Sequence, residues 1–266
     1  MTPLLPIDDV MPAVLDALRS HGRLVLQAPP GAGKTTRVPL AILEAKLTQG
    51  RILMLEPRRL AARASAERMA QTLGEDVGQT VGYRVRGASA VSKSTRIEVV
   101  TEGILTRMMQ DNPELPDVGA VIFDEFHERS LNADLGLALC LEIAGALRDD
   151  LMLLVMSATL DAAPVATLMD APVVTSAGRS FPVTPRWLDK PLPKAVRFEQ
   201  AVADLVLQAL AEADGSALVF LPGEGEIRRV QSLLERQLSN DCTIAPLFGA
   251  MDFKAQRAAI NPAPQG

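Results

Sequence analysis

Residues 24–36 read LVLQAPPGAGKTT, and the fold class follows from how this stretch is read. The segment 22–30 (GRLVLQAPP) has the composition of a short strand running into a loop. Residues 35–47 (TTRVPLAILEAKL) have the apolar spacing of a helix, which tolerates Pro39 only near its first turn. Between them lies a glycine-rich loop ending in Gly33-Lys34-Thr35, the G-K-T end of a Walker A pattern. The strict pattern places glycine five residues before Gly33, where this chain has Ala28, so the match is to a relaxed form. Gly31 and Gly33 let the backbone curl until successive N–H groups face one anion, and the helix that follows adds its positive end. Gly31, Ala32, Gly33, Lys34, Thr35 and Thr36 are therefore the candidate nucleotide-binding loop. Lys34 is placed to reach the β- and γ-phosphates and the Thr35 hydroxyl to hold Mg²⁺. A plain glycine turn capped by threonine accounts for the glycines but not for strand, helix and intact G-K-T together.

Outward from the loop, apolar runs alternate with helical stretches. Residues 51–57 (RILMLEP), 95–101 (TRIEVVT), 118–125 (VGAVIFDE) and 151–159 (LMLLVMSAT) read as further strands. Residues 58–73, 103–110 and 133–147 read as the helices between them. Strands that are apolar throughout and separated by helices predict a doubly wound parallel sheet covered on both faces, an α/β fold. Residues 180–194 (SFPVTPRWLDKPLPK) hold four prolines and mark a junction. The expected domains are residues 1–180 and 181–266, the second with helices at 195–214, 225–238 and 252–259. Strands are expected there at 215–222 (GSALVFLP) and 242–249 (CTIAPLFG), with a third conceivable at 181–188.

Nearly half of the residues, 48%, are apolar, which suits a packed core and not disorder. No run approaches the roughly 18 apolar residues needed to cross a bilayer, and the first ten residues lack the basic start of a secretory signal. Cys140 and Cys242 are isolated, without metal-type spacing. They read as free, buried thiols in a reducing cytoplasm. The net charge of −5 argues against a surface that binds nucleic acid everywhere. Arg51–Arg107 nevertheless holds ten basic and six acidic residues. On charge alone, a solvated basic helix face explains that excess.

A phosphate loop needs an acid at a second strand end. In AVIFDE (120–125) the strand is apolar up to Asp124, which puts that carboxylate at the carboxyl edge where open α/β sheets build their crevice. Asp124 is the expected Mg²⁺ partner, largely through water, and Glu125 the residue that orients an attacking water. The candidate catalytic set is Lys34, Asp124, Glu125 and His127. His127 reads either as a satisfied structural histidine or as a polar contact sensing the nucleotide state, and residue chemistry alone does not separate the two. A nucleotide-dependent regulatory switch that is no helicase accounts equally well for the loop and the acidic pair.

Further motifs carry a resemblance. DEFH (124–127) resembles motif II of the DEAH-box branch of superfamily 2 helicases, with Phe126 in the usual alanine position. GAGKTT (31–36) is similar to motif I. EPRRLAA (56–62) and TEGILTR (101–107) resemble motifs Ia and Ib, and Ser157-Ala158-Thr159 matches motif III. LVFLPGEGEI (218–227) resembles motif IV, and LFGAMDFKAQ (247–256) resembles a later segment that ends in glutamine. Within the branch, the phosphate loop and DEFH are most similar to a bacterial group of ATP-dependent RNA helicases. The regulatory-switch reading leaves these ordered motifs unexplained.

The resemblance implies two RecA-like domains with ATP and Mg²⁺ bound between them, and single-stranded nucleic acid, RNA ahead of DNA, as partner. It implies backbone contacts from Pro57, Arg58, Arg59, Thr101 and Gly103, all within the basic stretch. It implies coupling through Ser157 and Thr159, and adenine stacking on Arg68. Relatives often supply a second stacking ring near Ile260, which has none. Motifs V and VI, the latter carrying arginine fingers, are not found among the 266 residues. The chain therefore reads as an N-terminal piece holding one whole RecA-like domain and part of another, able to bind nucleotide but not to hydrolyse it efficiently.

Overall fold

The computed structural model describes residues 4–158, 162–178, 182–193, 195–212, 215–239 and 241–260. The chain separates into two compact units, Met1–Pro182 and Val183–Gly266.

The first unit begins with a short 3-10 turn, Pro6–Val10, followed by α1 (Met11–His21), β1 (Arg23–Gln27), α2 (Lys34–Glu44), β2 (Arg51–Glu56) and α3 (Arg59–Leu73). A hairpin of β3 (Val81–Val85) and β4 (Ala88–Ala90) precedes β5 (Ile97–Thr101), α4 (Glu102–Asp111) and β6 (Val118–Phe123). After a second 3-10 turn, Phe126–Glu128, come α5 (Leu131–Ala146), β7 (Met152–Ser157), α6 (Ala163–Met169) and β8 (Val173–Thr175). The eight strands form one sheet in the order β4-β3-β5-β2-β6-β7-β1-β8. Every pairing is parallel except that of β3 with β4.

The strand pleat sorts the core into two layers. Leu24, Leu26, Met54 and Ile122 point to one face, where they pack with Val14 and Leu18 of α1, Val38 and Ile42 of α2 and Met69 of α3. Val25, Leu53, Val121 and Phe123 point to the other, against Leu105 of α4, Cys140 of α5 and Met169 of α6. Each such aliphatic or aromatic side chain contributes about 1.5–3 kcal/mol on burial, which is why strands apolar on both faces settle at the sheet centre.

All five strands expected in the first unit from its apolar runs form. The hairpin strands, β8, α1 and α6 carried no such signal. β3 reads VGYRV, polar at alternate places, and β8 is a three-residue edge strand with two exposed residues. Pro39 is the sixth residue of α2 rather than part of its first turn, and it is buried. The helix accepts it without an amide to donate to Thr35.

The second unit contains α7 (Phe198–Glu212), α8 (Glu224–Leu234) and α9 (Phe253–Ile260). Ala203 and Val206 of α7 pack with Val230 and Leu234 of α8. The strands expected at 215–222 and 242–249 do not form, and the described part of 181–188 is not a strand either. A strand exists only through a hydrogen-bonded neighbour, and none pairs with these segments among the described residues. Leu218 and Phe220 are 78% and 86% exposed. The cysteines also differ from expectation: Cys140 is buried, but Cys242 is exposed. Burial pushes the Cys140 thiol up to about 12, which leaves it unreactive.

Candidate nucleotide and nucleic-acid site

The carboxyl edge of the sheet collects the residues that the sequence singles out. The phosphate loop leaves β1 and Asp124 leaves β6; β7 lies between those two strands. Gly31 and Gly33 both adopt positive φ, 76° and 94°. The φ of 94° favours glycine at Gly33, and a Cβ there would also have to displace the Leu5 side chain, whose Cδ1 it would meet at 2.5 Å. The segment before α1 closes over the loop, with the Ile7 N–H donating to the Ala32 carbonyl at 3.1 Å. Ala32 is buried, and its own N–H donates to the Pro29 carbonyl at 3.2 Å. Lys34, Thr35 and Thr36 form the first turn of α2, which starts at Lys34.

Lys34 is almost fully buried, and its Nζ donates to Glu125 Oε1 at 2.9 Å. The Thr35 hydroxyl donates to Asp124 Oδ2 at 2.5 Å. Asp124 is pinned by its own N–H, which donates to the Leu55 carbonyl at 3.0 Å, and its Oδ1 accepts the Glu125 N–H at 2.8 Å. Glu125 has left-handed backbone angles, φ 49° and ψ 35°, a conformation that costs on the order of 1–3 kcal/mol in a non-glycine residue. That turn is what brings two consecutive carboxylates to two different partners.

Burial holds the Asp124 carboxyl up at about 6, against the opposing pull of the Thr35 hydroxyl and Lys34. Glu56, the last residue of β2, is raised further, to about 8, by burial first and by the charge of Asp124 second. It accepts the Ser65 hydroxyl at 3.0 Å. Sequence reading passed over Glu56, yet its signal was present: RILMLE ends an apolar run on a carboxylate just as VIFD does.

The donors fit a hard divalent cation. Thr35 Oγ1 and Asp124 Oδ2 already touch, and both are oxygens of the kind Mg²⁺ takes. A cation bound there would also offset the burial that raises the Asp124 carboxyl.

His127 Nδ1 accepts the Ala158 N–H at 3.3 Å and lies 3.4 Å from Glu125 Oε2. An Nδ1 that accepts an amide hydrogen cannot also donate to a carboxylate. The ring therefore joins the turn after β6 to the end of β7, and a proton on Nδ1 would exchange that link for one to Glu125. Ser157 ends β7, buried, with its carbonyl accepting the Ala28 N–H at 3.0 Å. Thr159 lies outside the described residues.

Arg58 and Arg59 are exposed at the start of α3, after half-buried Pro57. Thr101 ends β5, and Gly103 lies in the exposed first turn of α4 with open space where a Cβ would be. These five residues share the sheet edge with the phosphate loop. Arg68 is exposed on α3, and its Nη1 donates to Gln71 within the same helix at 3.4 Å. Arg58 is engaged by Glu128, a pairing that sequence did not suggest.

Among proteins of known sequence, the chain is 53% identical to the ATP-dependent RNA helicase HrpB of Escherichia coli (strain K12), an alignment covering 98% of this chain and 32% of the relative. It is 32% identical to the ATP-dependent RNA helicase HrpA of Borreliella burgdorferi, again over 98% of this chain and 32% of the relative. A crystal structure of the E. coli DEAH/RHA helicase HrpB superposes with a TM-score of 0.91 at 53% identity, covering 98% of this chain and 33% of that one. The chain thus spans about a third of the length of these relatives. Residues 8–168, more than half of the chain, match the DEAD/DEAH box helicase model, and the chain belongs to that family.

Proposed function

We propose that the chain is the nucleotide-binding part of an ATP-dependent RNA helicase of the DEAH type, and that Met1–Pro182 acts as its first RecA-like domain. The observation that carries this reading is the convergence of Lys34, Thr35, Asp124 and Glu125 within 2.5–2.9 Å contacts at one sheet edge.

In this reading the phosphates of ATP enter the loop from Gly31 to Thr36, where backbone N–H groups and the start of α2 face them. Lys34 leaves Glu125 for the β- and γ-phosphates. Glu125, released from that pair, orients and polarises the attacking water. Thr35 and Asp124 hold Mg²⁺, which when bound offsets phosphate charge. His127 and Ser157, with Thr159, relay the nucleotide state along the ends of β6 and β7. Arg68 offers its guanidinium face to adenine. Pro57, Arg58, Arg59, Thr101 and Gly103 hold the backbone of a single strand, through contacts that carry little sequence information.

The 266 residues alone are expected to bind nucleotide and to turn it over slowly. Arginine fingers raise rates by roughly 10³–10⁵ in enzymes that use them, and the motif that supplies them is not found among these residues. Calorimetry with ADP–Mg²⁺ tests the site: Lys34→Ala is expected to weaken binding at least tenfold, and unchanged affinity refutes the assignment. Rapid RNA-stimulated turnover by this polypeptide would refute the arginine-finger argument. The nucleic-acid half is tested by titrating labelled single-stranded RNA, whose binding is expected to weaken steeply with salt and to show little base preference.

A further inference from the structure

The turn that carries Glu125 has a second set of partners on its far side. The Glu128 N–H donates to the Glu125 carbonyl at 2.9 Å, and the Arg129 N–H to the Phe126 carbonyl at 3.2 Å. Both ends of this turn are non-glycine residues at positive φ, Glu125 at 49° and Arg129 at 44°. A turn bracketed in this way has few neighbouring conformations, so a shift at Glu128 is transmitted to Glu125.

Arg58 Nη2 donates to both Glu128 carboxylate oxygens, at 3.1 and 3.2 Å. Two residues on, the Ser130 hydroxyl donates to the Glu102 carboxylate at 2.5 Å. Glu102 stands between Thr101 and Gly103. The segment following the catalytic turn is thus bonded to both stretches read above as strand contacts.

We propose that Glu128 is an internal phosphate mimic: its carboxylate occupies Arg58 until a backbone phosphate of single-stranded RNA displaces it, and this exchange links strand binding to the turn that carries Glu125. The inference rests on the reading of Arg58 as a phosphate contact. Carboxylate and phosphate present the same kind of oxygen pair to a guanidinium, so one can replace the other without moving Arg58. The pair is largely solvated, with the Arg58 side chain 72% exposed. Solvated pairs are weak, so Glu128 lowers RNA affinity by about two- to sixfold and does not block it.

The test is fluorescence anisotropy of a labelled, mixed-sequence single-stranded RNA titrated with the 266-residue chain. Glu128→Gln, Arg58→Gln and the double variant are compared with the parent. Glu128→Gln is expected to tighten binding about two- to sixfold. Arg58→Gln is expected to weaken it and to lower the salt slope by about 0.7, the loss of one single-strand phosphate contact. In the Arg58→Gln background, Glu128→Gln is expected to change nothing. Tightening that persists there would reflect simple removal of negative charge and overturns the proposal, as does no tightening in the single variant. If the parent binds RNA and Arg58→Gln weakens it, either result defeats this proposal alone. If the parent binds no RNA, the phosphate-contact reading falls and the proposal with it. A second titration reads the link: RNA is expected to shift ADP–Mg²⁺ affinity in the parent and less in Glu128→Gln, and equal shifts overturn that part.

Discussion

Glu56→Gln isolates one buried proton. In the ligand-free fold the Glu56 carboxyl is raised from its ordinary 4.5 to about 8, chiefly because it is buried and next because it faces Asp124. A folded-state value above the unfolded one means that folding favours the protonated form. The stabilising contribution is fully present below about pH 4.5 and is lost as the pH rises through about 8. Across that window Glu56 alone costs about 1.4 kcal/mol of stability per pH unit, on the order of 4 kcal/mol between pH 5 and 8. Glutamine is nearly isosteric with the protonated acid and keeps an oxygen for the Ser65 hydroxyl, now 3.0 Å from Glu56. The parent and Glu56→Gln should therefore be nearly equally stable at pH 4, below the unfolded value, and the variant should be the more stable at pH 8. Urea unfolding followed by circular dichroism over this pH range measures the difference. Parallel stability–pH curves for the two proteins would refute the claim that Glu56 holds its proton. A variant already much weaker at pH 4 would refute the isosteric argument.

Two further substitutions probe the frame around the site. Gly33→Ala places a Cβ 2.5 Å from Leu5 Cδ1 at φ 94°, so a stability loss of about 1–3 kcal/mol is expected, together with weaker nucleotide binding. A thermal melt matching the parent would show that the Leu5 segment yields freely. Glu98 is fully buried on β5 between Arg51 Nη1 and Arg84 Nε, each 2.8 Å from a carboxylate oxygen. Glu98→Ala leaves the Arg51 and Arg84 guanidinium groups, 30% and 42% exposed, without their shared buried partner. A loss of about 1–3 kcal/mol in urea unfolding is expected, with Arg51→Ala recovering part of it.

The sheet was legible because burial on two faces demands apolar runs, and β1, β2, β6 and β7 are such runs at their centres, as is β5 apart from Glu98. The β3–β4 hairpin and the edge strand β8 were not, since they draw their order from a neighbour rather than from their own composition. The same physics explains the misplaced strands at 215–222 and 242–249. Their sequences have strand composition, but a strand is a property of a pair.

At the site, the phosphate loop and the Asp124–Glu125 pair are local features. A glycine-rich turn between strand and helix, and an acid ending an apolar run, are written in consecutive residues. For His127 the fold adds a partner that sequence does not show, since only folding brings the Ala158 amide within 3.3 Å of its ring. Glu56 and Glu128 belong to the same class. Glu56 acquires its proton from burial beside Asp124, which lies 68 positions away in the chain. Glu128 meets Arg58 across 70 residues. Sequence by itself determined which side chains stand at strand ends, because chain periodicity fixes that. Which of them meet, and which stay charged, was decided only by tertiary structure, because contact and dielectric arise when strands distant in sequence become neighbours.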